Sequence, residues 1–130
     1  MDLSEGIAVD AAHSMKRGKT EFQGIDLSTG KVLFYQDLGN QTINIGEFLA
    51  IVEGCKYIIE HDFQPKRIFS DSTTAIAWFK AKKTSSGKRN KLLMKAEVYL
   101  RALAFWVDEI EIIKWNNKDW GEIPADFGRK

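Results

Sequence analysis

Apolar and polar residues follow each other along this chain with a period that changes from segment to segment. Residues 7–12, IAVDAA, make a nearly unbroken apolar run and read as a buried strand. Residues 20–27 and 31–38 read as two further strands joined by the turn residues Ser28, Thr29 and Gly30, and connections this short imply an antiparallel meander. From 47 to 61 the period lengthens: Phe48, Ile51, Val52, Cys55, Ile58 and Ile59 fall along one face of a helix. Gln64-Pro65 breaks it, and residues 67–70 form a short strand that runs into Asp71-Ser72-Thr73-Thr74, a helix-start cluster whose helix reaches about Phe79. Leu92, Ala96, Tyr99, Leu103 and Trp106 then recur at helical spacing, and residues 109–115 alternate as a strand. The tail NNKDWGEIPADFGRK reads as a loop with one helical turn. Trp78 and Trp106 fall on apolar helix faces and are expected in the core, with Trp120 as an anchor for the tail.

The order of three strands, helix, strand, helices and strand predicts an α/β fold with a mixed sheet. A length of 130 residues suits one domain, 1–130. Composition agrees: 44% hydrophobic and 28% charged, with no low-complexity tract, is that of an ordinary globular protein. The longest weakly polar stretch, 102–107, is far too short to span a membrane, and the acidic start MDLSEG is unlike a signal sequence, so the expectation is a cytoplasmic protein without a membrane or an evident obligate protein partner. Cys55, the single cysteine, sits on the apolar helix stripe and reads as a small buried side chain.

Charge is segregated although the net is only +1. Residues 1–79 carry 7 basic and 11 acidic side chains, a net of −4, and residues 80–130 carry 12 and 7, a net of +5. Lys80, Lys82, Lys83, Lys88, Arg89 and Lys91 crowd one segment around a Ser-Ser-Gly turn, which suits a polyanion or, equally, a solvated loop.

Four carboxylates stand at the ends of the predicted elements. Glu47 fits a capping box with Asn44 as the cap, Asp71 fits a cap for the helix after it, and Asp126 fits a cap or a solvated position; singly, each has that structural explanation. Asp10 does not. An ionised carboxylate inside a strand loses hydration worth several kcal/mol unless cations or donors replace it. With neighbouring first and fourth strands, Asp10 and Asp71 meet at adjacent positions and Glu47 reaches them from the covering helix. Three like charges raise one another's pKa values, and a divalent ion inverts that penalty. Oxygen ligands favour Mg²⁺ or Mn²⁺, and no histidine or cysteine cluster supports zinc.

The first-strand acid in IAVDAAH, the TINIGE helix start, the strand-end acid in IFSDSTTAI and the tail acid in IPADFGRK, in that order, resemble type I ribonuclease H along nearly the whole chain. The resemblance implies a five-stranded sheet in the order 3-2-1-4-5 flanked by helices. It also implies a metal-dependent endonuclease that cuts the RNA strand of RNA:DNA hybrids with two Mg²⁺ ions, leaving a 5′-phosphate and a 3′-hydroxyl. Asp10, Glu47, Asp71 and Asp126 would be the catalytic, metal-binding carboxylates. Asn44 would contact the minor groove, Thr42 a DNA phosphate, and Lys82, Lys83, Lys88 and Arg89 would belong to a short basic handle on the hybrid. The chain departs from the family in the loop before Asp126, which holds no histidine but Lys118, Asp119 and Glu122, and in ending four residues after Asp126. Those departures keep open a non-catalytic nucleic-acid-binding module on the same fold, and a third reading is another metal-dependent nuclease of that fold.

Overall fold

The computed structural model describes residues 3–84 and 91–128. Its elements run β1 (Ile7–Ser14), β2 (Lys19–Asp26), β3 (Val32–Asp37), α1 (Ile43–His61), β4 (Arg67–Ser70), α2 (Thr73–Ala81), α3 (Lys91–Ala102), α4 (Ala104–Val107), β5 (Glu111–Lys114) and α5 (Asn117–Trp120). β1, β2 and β3 form the expected antiparallel meander. β4 pairs parallel with both β1 and β5, so the mixed sheet has the order β3-β2-β1-β4-β5.

Side chains alternate across β1, and the two faces of the sheet carry different cores. Ile7, Val9 and Ala11 join Phe48, Ile51, Cys55 and Ile58 of α1 in the larger core. Ala8 joins Ile25, Phe69, Trp115, Ile123 and Ala125 in a smaller one on the opposite face, so the C-terminal tail packs on the second side of the sheet. α1 lies close on the first side because two of its positions have no side chain. A Cβ at Gly46 would stand 2.9 Å from Thr20 Cγ2 and 3.1 Å from Ala11 Cβ, and one at Gly54 would stand 2.9 Å from Ile68 Cδ1.

Several local expectations change. α1 begins at Ile43, and its cap is Thr42, whose hydroxyl accepts from the Ile45 amide at 3.3 Å; Asn44 is therefore inside the first turn rather than the cap. α2 is capped by Ser72, which leaves the Asp71 carboxylate out of the capping role. The helix expected to run to Trp106 breaks at Leu103 into α3 and α4, and the break shifts the phase of the buried face. Val107 is fully buried, while Trp106 is 50% exposed and is not a core residue. β5 is shorter than residues 109–115, because Glu109 and Ile110 continue the turn out of α4 through bonds to Trp106 and Val107 carbonyls. The helical turn of the tail is α5, which precedes Asp126. Trp120 does anchor the tail, packed edge-on against the buried Trp115. Cys55 is buried and its thiol is pushed up by that burial, in keeping with a packing role.

Candidate metal centre

The parallel ladder between β1 and β4 is short: Ile7 faces Ile68 and Ala8 faces Phe69. Carrying that register two residues onward sets Asp10 beside Asp71, which follows the last residue of β4. By alternation both carboxylates belong to the face of Ala8 and Phe69, whereas Glu47 comes from α1 on the other face. Glu47 reaches them past the place where β4 stops. With no β4 carbonyl beside it, the Ala11 amide donates to Glu47 Oε1 at 3.1 Å, and Gly46, pressed against Ala11, lets the helix come near enough for that bond.

The result is a cluster of Asp10, Glu47 and Asp71 whose oxygens lie within 4.8 Å of one another. Asp10 is fully buried and Glu47 is 5% exposed. The second oxygen of Glu47, Oε2, is buried with no hydrogen-bond partner. Burial above all, and then the Asp10 and Asp71 carboxylates, push Glu47 up from 4.5 to about 10, with the Ala11 amide opposing the shift. Without a cation, the cluster therefore keeps a proton at neutral pH. A buried acceptor lacking a donor, an all-oxygen donor set and mutual repulsion are the conditions a hard divalent cation relieves, so these residues fit Mg²⁺ or Mn²⁺.

Asp126 lies outside the group of three. Its neighbours place it over the same face of the sheet. Ala125 is fully buried in the smaller core, and its carbonyl accepts from Gln23 Nε2 at 2.7 Å; Gln23 is the cross-strand partner of Asp10. The Asp126 amide donates to the Ile123 carbonyl at 2.9 Å, and its Oδ2 accepts from the Gly128 amide at 2.9 Å.

The loop between β5 and Asp126 brings a different residue to the cluster from those singled out in the sequence. Asn117 Nδ2 donates to Asp71 Oδ2 at 3.0 Å, and the same side chain's Oδ1 accepts from the Ile123 amide at 3.2 Å. Lys114 Nζ donates to the Asp71 carbonyl at 2.7 Å. Asp119 is instead tied to Asn116, and Lys118 and Glu122 are exposed. Nothing in the sequence marked Asn117 or Gln23, because an amide at a polar position carries no periodic or charge signature.

Thr42 and Asn44 are both exposed at the start of α1, Asn44 standing one turn before Glu47. Lys82 closes α2 with φ 53° and pairs with Asp108 at 2.8 Å, and Lys83 beside it is exposed. Lys88 and Arg89 lie outside the described residues. No carboxylate of the cluster lines the cavity of about 270 Å³ between Ile58, Ile59, Asp62, Lys66, Trp106 and Ile110. The acids sit at a strand-end edge.

No family model matches the chain. Solved structures do. LC11-RNase H1, isolated from compost by a metagenomic approach, aligns with a TM-score of 0.58 at 12% identity over 89% of this chain and 87% of its own. The same protein in complex with an RNA/DNA hybrid aligns at 0.57 and 11% identity over 87% and 86%. The N-terminal RNase H domain of Rv2228c from Mycobacterium tuberculosis aligns at 0.52 and 16% identity over 87% and 81%. The chain has the ribonuclease H fold. In this chain the parallel β1–β4 pair ends early, and that leaves room at its open end for a carboxylate from each of three elements.

Proposed function

We propose that the protein is a metal-dependent endonuclease that hydrolyses the RNA strand of RNA:DNA hybrids. The observation that carries this reading is the convergence of Asp10, Glu47 and Asp71 at the end of the β1–β4 pair on a ribonuclease H fold. A solved neighbour of that fold is in complex with an RNA/DNA hybrid, which supports the substrate class.

Asp10, Glu47 and Asp71 would hold Mg²⁺ or Mn²⁺ through their oxygens, and Asp126 would contribute from the tail. Divalent ions held there would supply charge to lower the pKa of an attacking water and to stabilise the leaving 3′ oxygen of an in-line phosphodiester displacement. The remaining work belongs to the chain. Asp10 is held rigidly because its strand is packed on both faces, and Glu47 is oriented by the Ala11 amide. Asn44 reads the hybrid from the exposed start of α1, where a short polar side chain tests for 2′-hydroxyls in a wide minor groove, and Thr42 beside it meets a DNA phosphate. Lys82, Lys83, Lys88 and Arg89 supply cations for the DNA strand. The edge position of the cluster suits a polymer, which must pass across the site rather than enter a cavity.

The test incubates purified protein with labelled RNA:DNA, RNA:RNA and DNA:DNA duplexes, with Mg²⁺, with Mn²⁺ and with chelator. The expected result is cleavage of hybrid RNA alone, to 5′-phosphate and 3′-hydroxyl ends, lost with chelator and in Asp10→Asn. Hybrid binding without cleavage in either metal assigns the protein to the non-catalytic module instead, and cleavage of DNA:DNA assigns it to another nuclease of the fold.

A further inference from the structure

We infer that Asn117 and Gln23 are positioning residues that set the tail carrying Asp126 against Asp71 at the end of β4 and against the β1–β2 pair that carries Asp10. Its catalytic consequence rests on the nuclease reading above.

The segment around Asp126 has little secondary structure to hold it: α5 ends at Trp120, and residues 121–128 include no helix or strand. Packing fixes part of it, since Ile123 and Ala125 are buried in the smaller core and Trp115 Nε1 donates to the Gly121 carbonyl at 2.8 Å. Apolar packing resists separation more than sliding. Directional bonds fix the register, and two side-chain amides make them from opposite sides. Gln23, on β2, grips the carbonyl of the residue before Asp126 while standing opposite Asp10 on β1. Asn117, the first residue of α5, uses both ends of one amide. Its nitrogen holds the Asp71 carboxylate and its oxygen holds the amide of Ile123. The Asp126 amide in turn donates to the Ile123 carbonyl, so the position of Ile123 passes directly to Asp126.

Gln23 therefore ties the tail to β2 at the position paired with Asp10, Asn117 ties it to Asp71, and both tethers end within three residues of Asp126. The Asn117 bond also leaves the geometry of Asp71 dependent on the tail. Groups that orient metal-binding carboxylates in this way are worth about 10- to 100-fold in metal affinity or activity when removed.

The experiment uses the full chain with Asn117→Ala, Gln23→Met and the double variant. Amide hydrogen exchange is measured on chelator-treated protein. Mn²⁺ affinity follows by titration calorimetry, and kcat and KM are measured on a labelled hybrid. Asp126, whose amide neither side chain touches, is the reporter. The expected result is exchange at Asp126 at least about 10-fold faster in each variant, with β1 and β4 amides unchanged. Mn²⁺ affinity and kcat fall about 10- to 100-fold while KM stays within about twofold. Unchanged exchange at Asp126 in all three variants overturns the tether. Faster exchange with wild-type Mn²⁺ affinity and wild-type kcat overturns the positioning role. If the wild-type protein neither binds Mn²⁺ nor cleaves, the nuclease reading fails, while exchange at Asp126 still decides whether the two amides hold the tail.

Discussion

The Ala11 amide of β1 donates to Glu47 of α1 across 36 residues of sequence, and that one bond joins the helix on one face of the sheet to carboxylates on the other. It orients Glu47 but does not neutralise it. The bond lowers the pKa of Glu47, yet burial and the two neighbouring acids outweigh it and hold the group at about 10.

That shift gives metal-free protein a characteristic pH dependence. Glu47 binds its proton more tightly folded than unfolded, so its contribution to stability is fully present below 4.5, and stability falls as pH rises from there toward about 10. For one proton the slope is at most about 1.4 kcal/mol per pH unit. Glu47→Gln keeps an oxygen for the Ala11 amide and has nothing to ionise. Thermal unfolding of chelator-treated protein between pH 5 and 9 should show a falling Tm in the wild type and a distinctly flatter one in Glu47→Gln. Equal slopes would remove Glu47 as the cause.

Divalent cations should reverse the effect. A cation that binds only the folded cluster stabilises it by about 2.7 kcal/mol at a hundred times its dissociation constant. Calorimetric unfolding at pH 8 should therefore show Tm rising with Mg²⁺ or Mn²⁺ in the wild type. The rise should vanish in Asp10→Asn, which removes the central acid without emptying a core position. A rise that survives Asp10→Asn would place the cation elsewhere.

The break at Leu103 makes opposite predictions for two adjacent residues. Val107 is fully buried, and Val107→Ala should cost about 2 kcal/mol from lost methyl groups and the cavity they leave. Trp106, half exposed beside the exposed Phe105, should cost under about 1 kcal/mol on truncation to Ala. Chemical denaturation of the two variants reads the difference directly. A larger loss from Trp106→Ala would restore the unbroken helix read from the sequence.

What was legible in the sequence and what was not divides along physical lines. Asp10 stood out because a charge in an apolar strand has a cost that something must offset, and the sheet order was what the resemblance to type I ribonuclease H implied. The cap of α1 was misassigned because Thr42 and Asn44 are both good capping residues; the helix starts early enough to bury Ile45, which selects Thr42. The break at Leu103 carries no glycine or proline, so periodicity ran straight through it to Trp106. Asn117 reaches Asp71 across 46 residues and Gln23 reaches Ala125 across 102, and no local pattern encodes such a pairing.

Glu97 raises a last question, since it is a carboxylate only 4% exposed that lies outside the metal cluster. Its Oε2 accepts from both the amide and the hydroxyl of Thr84, each at 2.8 Å, so α3 holds the chain just before the basic segment that contains Lys88 and Arg89. Glu97→Leu removes the acceptor for two donors and should cost about 1–3 kcal/mol for each donor left unsatisfied. Thr84→Val removes only the hydroxyl and should cost less. If this anchor places the basic segment for the hybrid, affinity should fall in Glu97→Leu at temperatures where the variant is fully folded, and the loss should shrink as salt is raised, because the contacts at stake are with phosphates. Fluorescence anisotropy of a labelled hybrid across a salt series measures both quantities. A destabilised variant that binds the hybrid with the wild-type affinity and salt slope would leave Glu97 a purely structural acid.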